Sequence, residues 1–175
     1  MSNRGTQLAR MADRQISELT EILSRCGEAG LLLPCPGRER LGDGTVAACA
    51  RHTTENYHRI AGLIRHDPIT PNGSQHAHDT GPSVERISLP ALLARLAAAR
   101  EAVAELAGVG DDQLDSVPTA GTVRFANGAT TLEQVIAAAL KHQQHQLDAL
   151  KAAVAHSDRT PDELPGGSTA PGPSS

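Results

Sequence analysis

Residues 45–66 read TVAACARHTTENYHRIAGLIRH, and the fold prediction starts from this stretch. Steps of three and four residues return to the same face of an α-helix. Here they connect one stripe of side chains: Val46, Cys49, His52, Asn56, Ile60 and Leu63. The stretch therefore predicts a helix from about Thr45 to His66, with His52 facing inward midway along its core face.

Residues 140–147, LKHQQHQL, lie in another strongly helical segment near the end of the chain. Thr130 and Glu133 have the spacing of a capping box, in which a Thr side chain and a Glu three residues later satisfy the first free backbone amides of a helix. We expect this helix to run from Thr130 to about His156.

The polar residues of this last helix differ in the direction they face. His142 and Gln146 are four residues apart and lie near the line of three apolar residues: Val135, Ala139 and Leu150. His145 is rotated by some 100° from Gln146. His142 is therefore the better inward candidate, and His145 is either exposed or reaches the site after a rotation of the helix.

Two further segments have helical patterns. Apolar residues at helical spacing predict an amphipathic helix from about Thr6 to Glu28. Ser88 is a good N-cap for a Leu- and Ala-rich helix over Leu89 to Leu106, which we expect to be the most buried of the four.

Three segments rich in Pro, Gly and polar residues are predicted to be connections: residues 31–44, 67–82 and 108–128. Asp43 is the candidate cap of the second helix. The last two connections are long, and the polar one over residues 67–82 is typical of links between non-adjacent or crossing helices. The prediction is an all-α fold, a four-helix bundle over residues 6–156 with long connections between helices 2 and 3 and between helices 3 and 4. Residues 157–175 are expected to form a disordered tail.

Composition narrows the possible functions. Hydrophobic residues make up 39% of the chain but aromatic residues only 1%, so the core must consist of Leu, Ile, Val and Ala. The formal charge is −4 with both signs interspersed, which argues against nucleic-acid binding. No apolar run approaches the roughly 20 residues that span a bilayer, and the N-terminus does not resemble a secretory signal. We expect a cytoplasmic protein without a membrane partner.

The three cysteines, Cys26, Cys35 and Cys49, are odd in number and widely spaced, which favours reduced thiols over a disulfide framework. Cys49 lies three residues before His52 on the same helical face. It is interpreted as a small core residue, with a metal ligand or a reactive thiol as alternatives. Cys35 has a proline on either side in a predicted loop and is a candidate for an accessible thiol.

Two histidine-bearing helices in one bundle suggest a metal site between them. Imidazole binds divalent zinc, nickel or iron, and a catalytic metal usually takes three protein ligands and leaves a position open. His52 would supply one ligand and the last helix the others. The alternative for His52 is a buried neutral imidazole that is hydrogen-bonded to a carbonyl or to Asn56.

Two motifs carry a resemblance to a known family. LPCPG at residues 33–37, Thr45-Val46 and then His52 resemble the start of helix two in the DinB-like bundles, in particular the N-terminal domain of mycothiol-dependent maleylpyruvate isomerases. Residues 131–134, TLEQ, and the segment from His142 to Leu147 are similar to the second motif of that family. The family usually has a Trp after the Pro-Gly turn and a His at the position of Gln146; Arg38 and Gln146 stand here.

The resemblance implies a DinB-like fold and a divalent metal, zinc first among the candidates. It implies His52 and His142 as ligands, with Gln146 or His145 as the third. It also implies a small-molecule substrate, a low-molecular-weight thiol as co-substrate, a transfer or isomerisation reaction, and a homodimer as a candidate assembly.

The sequence leaves three functional hypotheses open. The first is a metal-dependent enzyme that uses such a thiol. The second is a non-catalytic bundle that binds metal or a small molecule, or dimerises, with a degenerate metal site. The third is an enzyme that uses Cys49 and the histidines for other chemistry.

Overall fold

The computed structural model describes residues 3–65, 87–120 and 125–157. They form five helices: α1 (Asn3–Gly30), α2 (Val46–Arg65), α3 (Leu89–Ala104), α4 (Asp111–Asp115) and α5 (Leu132–Ser157). A 3-10 turn, Glu105–Gly108, joins α3 to the short α4. The predicted all-α fold is confirmed. The predicted connection over residues 67–82 and residues 158–175 of the predicted tail lie outside the described residues.

The four long helices enclose one core. In the described part of the chain, α1 and α2 each pack against both α3 and α5. Consecutive helices α1 and α2 make few contacts and lie across the bundle from each other, as do α3 and α5. Of the two possibilities for the connection over residues 67–82, a link between non-adjacent helices is wrong, because α2 and α3 are neighbours.

The loop before α2 is tied to the helix start by backbone hydrogen bonds. The amide of Cys35 donates to the carbonyl of Gly44 at 2.8 Å, and the amide of Val46 donates to the carbonyl of Leu33 at 2.9 Å. Thr45 is the cap of α2, since its hydroxyl accepts from the amide of Ala48 at 3.3 Å.

The predicted cap, Asp43, binds the capping residue Thr45. Its carboxylate accepts from the hydroxyl of Thr45 at 2.6 Å and from the Thr45 amide at 3.1 Å. The prediction of Asp43 as the helix cap was therefore wrong, because this carboxylate orients the capping threonine and does not bond the first turn itself.

The buried face of α2 is shifted from the predicted stripe. Its middle is formed by Thr53 and Tyr57, both fully buried, whereas His52 and Asn56 are half-buried at one edge. The inward placement of His52 was therefore wrong by part of a turn. Tyr57, one of two aromatic residues, fills the centre that the stripe had assigned to smaller residues.

Helix α3 is not the most buried helix. It buries one narrow side formed by Leu92, Leu96, Ala99, Ala102 and Val103, while most of its other alanines are exposed. The sequence did not distinguish the buried side from the exposed one, because both carry apolar residues. Alanine is stable on the exposed side of a helix, since it has a high helix propensity and needs no packing partner.

The start of α5 is displaced by one residue from the prediction. The hydroxyl of Thr131 accepts from the amide of Gln134 at 3.3 Å, and Gln134 Oε1 accepts from the amide of Thr131 at 3.0 Å. The capping box is thus Thr131–Gln134, and Thr130–Glu133 was wrong. Glu133 instead accepts from the guanidinium of Arg4 on α1 at 3.1 Å.

No helix in the described ranges is both long enough and apolar enough to cross a membrane.

Candidate metal centre between α2 and α5

A row of polar side chains connects α2 to α5. We call it the polar seam: Cys49, Thr53 and Asn56 of α2 with Gln143 and Gln146 of α5. The Cys49 thiol donates to Gln146 Oε1 at 3.6 Å. Gln143 Nε2 donates to the Thr53 carbonyl at 2.7 Å, and Gln143 Oε1 accepts from Asn56 at 3.2 Å. Residue numbers rise along α2 while they fall along α5, so the two helices run antiparallel.

Both seam glutamines are buried, Gln143 with 1% and Gln146 with 3% of its surface exposed. A buried amide is costly unless it is hydrogen-bonded, and these contacts supply partners for both side chains. Sequence reasoning missed Gln143, although it lies three residues after Leu140 and four before Leu147, in register with the buried face. Its position in line with these apolar residues was the indication in the sequence that Gln143 is buried.

Helical geometry puts His52 and His142 on the same side of the polar seam. Successive residues are rotated by about 100°, so His52 lies about 60° from Cys49 and about 40° from Asn56. His142 lies about 40° from Gln146 in the same rotational sense. In antiparallel helices that face each other, an equal sense of rotation turns side chains toward the same edge of the interface. Both histidines are half-buried there.

His142 and Gln146 touch, since their Nε2 atoms are 3.2 Å apart. Two ligands about 2.1 Å from a tetrahedral ion lie about 3.4 Å apart, so this spacing fits neighbouring positions around one metal. Glutamine binds metals through its oxygen, which here faces Cys49; rotation of the amide by a half turn presents the oxygen to His142. The spacing of His142 and the Gln146 amide thus suits two neighbouring donors of a divalent metal, with the amide as the weaker one.

His145 lies apart from this group. It is exposed, and its backbone carbonyl accepts from Arg38 Nη2 of the loop before α2 at 3.2 Å. Three of the four ligand candidates thus lie along one edge of the seam: His52, His142 and Gln146. Within residues 3–65, 87–120 and 125–157, no three His, Cys, Asp or Glu side chains converge as a metal site, so the candidate site depends on Gln146 for its third donor.

Residues 11–149 match the DinB superfamily. The match covers most of the chain, including α2, the polar seam and the first two thirds of α5. This chain belongs to the DinB superfamily. No curated protein and no solved structure matches it.

Membership in the DinB superfamily confirms the resemblance to the DinB-like bundles. Members of the superfamily often bind metal, and the candidate donors of this chain lie within the matched residues. Membership in the superfamily therefore supports a metal site of some kind in this chain. The ligand set, the metal and the reaction are part of the proposed function.

A pair of buried thiols lies next to the polar seam. Cys35 and Cys49 have 1% and 0% of their surfaces exposed. Burial raises the pKa of both thiols, that of Cys49 to about 12. The prediction that Cys35 is accessible was wrong, because the backbone bonds of its loop hold it against α2. The interpretation of Cys49 as a core residue is confirmed.

A second buried polar cluster joins α1, α2 and α5. The Tyr57 hydroxyl donates to Gln15 Oε1 at 3.3 Å, and Gln15 Nε2 donates to the carbonyl of Leu140 at 2.9 Å. Gln15 Nε2 also donates to Gln144 Oε1 at 3.3 Å. This cluster ties α5 to α1 as well as to α2, so the register of the polar seam is set by contacts to two helices.

Stability is expected to fall above about pH 9. Burial raises the pKa of Cys49 to about 12 and raises the pKa of Tyr57 above its ordinary value. In the unfolded chain these groups ionise near their usual pKa values, about 8.5 for a thiol and about 10 for a phenol. The folded state then binds more protons, and each such group lowers the free energy of unfolding by about 1.4 kcal/mol per pH unit.

Urea denaturation at several pH values from about 8 to 10.5 measures this slope. Cys49→Ala is expected to lower the free energy of unfolding near pH 8 and to show a shallower slope than wild type, so its deficit shrinks as the pH rises. Equal slopes would mean that the Cys49 thiol ionises as easily in the folded chain as in the unfolded one.

Proposed function

We propose that this DinB-superfamily protein binds a divalent metal, zinc first among the candidates, and uses it with a low-molecular-weight thiol in an S-transfer or isomerisation reaction on a small molecule. The observation that carries the proposal is the 3.2 Å contact between His142 and buried Gln146, at the edge of the seam where His52 also lies. That spacing suits two ligands of one ion.

The proposed roles of the residues follow from their donor atoms. His52 and His142 bind through imidazole nitrogens. Gln146 binds through its amide oxygen, a weak donor that leaves room for exchangeable ligands. A bound divalent metal supplies Lewis acidity, which favours the thiolate form of a thiol ligand at neutral pH.

The reacting thiol is assigned to a co-substrate because the nearby thiols of the chain cannot reach a substrate. Cys35 and Cys49 are buried, with at most 1% of their surfaces exposed. Cys49 instead donates to Gln146 Oε1. The hypothesis that Cys49 performs the chemistry itself therefore has less support than a metal-bound external thiol.

A second function is favoured by one observation. Both polar atoms of the Gln146 amide have partners within the protein, the Cys49 thiol and the His142 ring. In this alternative the amide completes a packed polar interface and the site has lost catalysis. The bundle then binds metal weakly or binds a small molecule, or it dimerises.

Cobalt(II) substitution separates the two functions. We expect the cobalt-loaded protein, after addition of N-acetylcysteine, to develop a sulfur-to-cobalt charge-transfer band in the near ultraviolet. The band should persist in Cys49→Ser, since its sulfur comes from the added thiol, and should disappear in His142→Ala.

His58→Ala is the matched control, because His58 is an exposed histidine on α2. A cobalt complex that forms in wild type but gives no band at saturating N-acetylcysteine supports the non-catalytic alternative. A band that disappears in Cys49→Ser identifies a ligand from the chain and contradicts an external thiol.

A further inference from the structure

One aromatic side chain lies against the candidate metal centre from outside its two helices. The rings of Phe125 and His142 have their centroids 6.1 Å apart and are tilted by 57° to each other. Aromatic rings that attract each other are offset or tilted, with centroids about 4.5–7 Å apart, so these two rings form a favourable pair. Phe125 belongs to the segment before α5, whereas His142 lies near the middle of that helix.

The two residues meet because the segment before α5 runs back along the helix. Leu132 is the first residue of α5, and His142 lies about 15 Å from it along the helix axis. The chain between Phe125 and Leu132 is long enough to cover that distance, since an extended residue spans about 3.3 Å. Ala126, next to Phe125, has only 7% of its surface exposed, so this segment is packed against the bundle.

Hydrogen bonds fix the shape of the segment that carries Phe125. Asn127 Oδ1 accepts from the amide of Thr130 at 2.9 Å, and the Thr130 hydroxyl donates to the Phe125 carbonyl at 3.3 Å. Gly128 has a φ of 78°, a left-handed conformation that glycine adopts readily. The resulting turn leads directly into Thr131, the cap of α5. The position of Phe125 is therefore tied to the start of α5.

Phe125 is one of two aromatic residues in the chain, and it is not among the buried core side chains. Tyr57 is fully buried, whereas Phe125 and His142 are both half-buried. A half-buried histidine can take more than one rotamer about χ1, and a ring packed against it favours one of them. In the rotamer that contacts Phe125, the Nε2 atom of His142 is 3.2 Å from that of Gln146.

We propose that Phe125 is a positioning residue, which holds the imidazole of His142 in the orientation that faces Gln146. Its consequence for metal affinity rests on the proposed function, but the orientation of the ring does not require a bound metal. Residues that orient a metal ligand typically contribute about 10–100-fold to metal affinity. For a contact between rings without a hydrogen bond we expect the lower end of this range, about tenfold.

Zinc affinity, measured by competition with a chromophoric chelator, tests the consequence for the metal. Phe125→Ala should bind zinc about tenfold more weakly than wild type, and Phe125→Tyr, which keeps the ring, within about twofold of wild type. Phe125→Leu, the milder variant in case Phe125→Ala loses its fold, should bind about threefold more weakly. Val117→Ala is the matched control, because Val117 is an exposed apolar residue of the same connection. Wild-type affinity in folded Phe125→Ala and Phe125→Leu would overturn the proposal.

NMR of the metal-free protein tests the orientation itself. The resonances of His142 are identified by their loss in His142→Ala. Three-bond couplings about χ1 of His142 should show one rotamer in wild type and in Phe125→Tyr, and averaging over several rotamers in Phe125→Ala. Averaged couplings in wild type, or one rotamer in every variant, would overturn the proposal. A wild type that binds no zinc would contradict the proposed function, and the couplings alone would then decide the role of Phe125.

Discussion

Tyr57→Ala is expected to lower the free energy of unfolding by about 4 kcal/mol, because it leaves a large cavity at the centre of the bundle. Tyr57 has 0% of its surface exposed and is the largest fully buried side chain among the described residues. The surrounding core consists of Leu, Ile, Val and Ala, and no second buried aromatic ring among the described residues can take its place. Urea denaturation followed by circular dichroism measures the change.

Tyr57→Phe is the matched control for this prediction. It keeps the ring and removes only the hydroxyl that donates to Gln15 Oε1 at 3.3 Å, so we expect a loss of about 1 kcal/mol. Equal losses in the two variants would show that the hydrogen bond to Gln15, and not the volume of the ring, stabilises the core.

Gln146→His is expected to tighten zinc binding by about a hundredfold, or about 2.8 kcal/mol. Imidazole is a much better ligand for zinc than an amide oxygen. Position 146 is already in contact with His142, at 3.2 Å between the two Nε2 atoms, so the new ring lies where a third nitrogen is needed. Competition with a chromophoric zinc chelator measures the affinity.

Lys151→His is the control for Gln146→His. It adds a histidine to the same helix, on an exposed position away from the polar seam, and should leave zinc affinity unchanged. An affinity in Gln146→His no tighter than that of wild type would remove position 146 from the site.

The helices were predictable because their signal is local. In α1 and α5 the helical spacing of apolar residues is repeated over many turns. Such a spacing predicts a helix and its buried face even when the helix that packs against that face is unknown. The ends were less predictable. Thr130 and Thr131 are adjacent and each is followed by a suitable acceptor three residues later, so the pattern admits two capping boxes, and packing selects Thr131 with Gln134.

The site was harder to predict because it depends on how two helices cross. The stripe on α2 was centred on His52, but the contacts of Thr53 and Asn56 with Gln143 rotate that histidine to the edge. Buried glutamines give no apolar periodicity, so Gln143 was overlooked. The burial of Cys35 depends on hydrogen bonds between residues far apart in the loop, which neither its prolines nor its spacing from Cys49 could reveal.

The central claim is that α2 and α5 hold a divalent metal through His52, His142 and Gln146. Elemental mass spectrometry of the purified protein tests it most directly, with wild type compared to His52→Ala, His142→Ala and the exposed control His58→Ala. The account predicts zinc, nickel or iron in wild type and His58→Ala after brief dialysis against buffer that contains the metal, and loss of that metal in the other two variants. A folded wild-type protein that retains no more metal than His52→Ala and His142→Ala would contradict the claim.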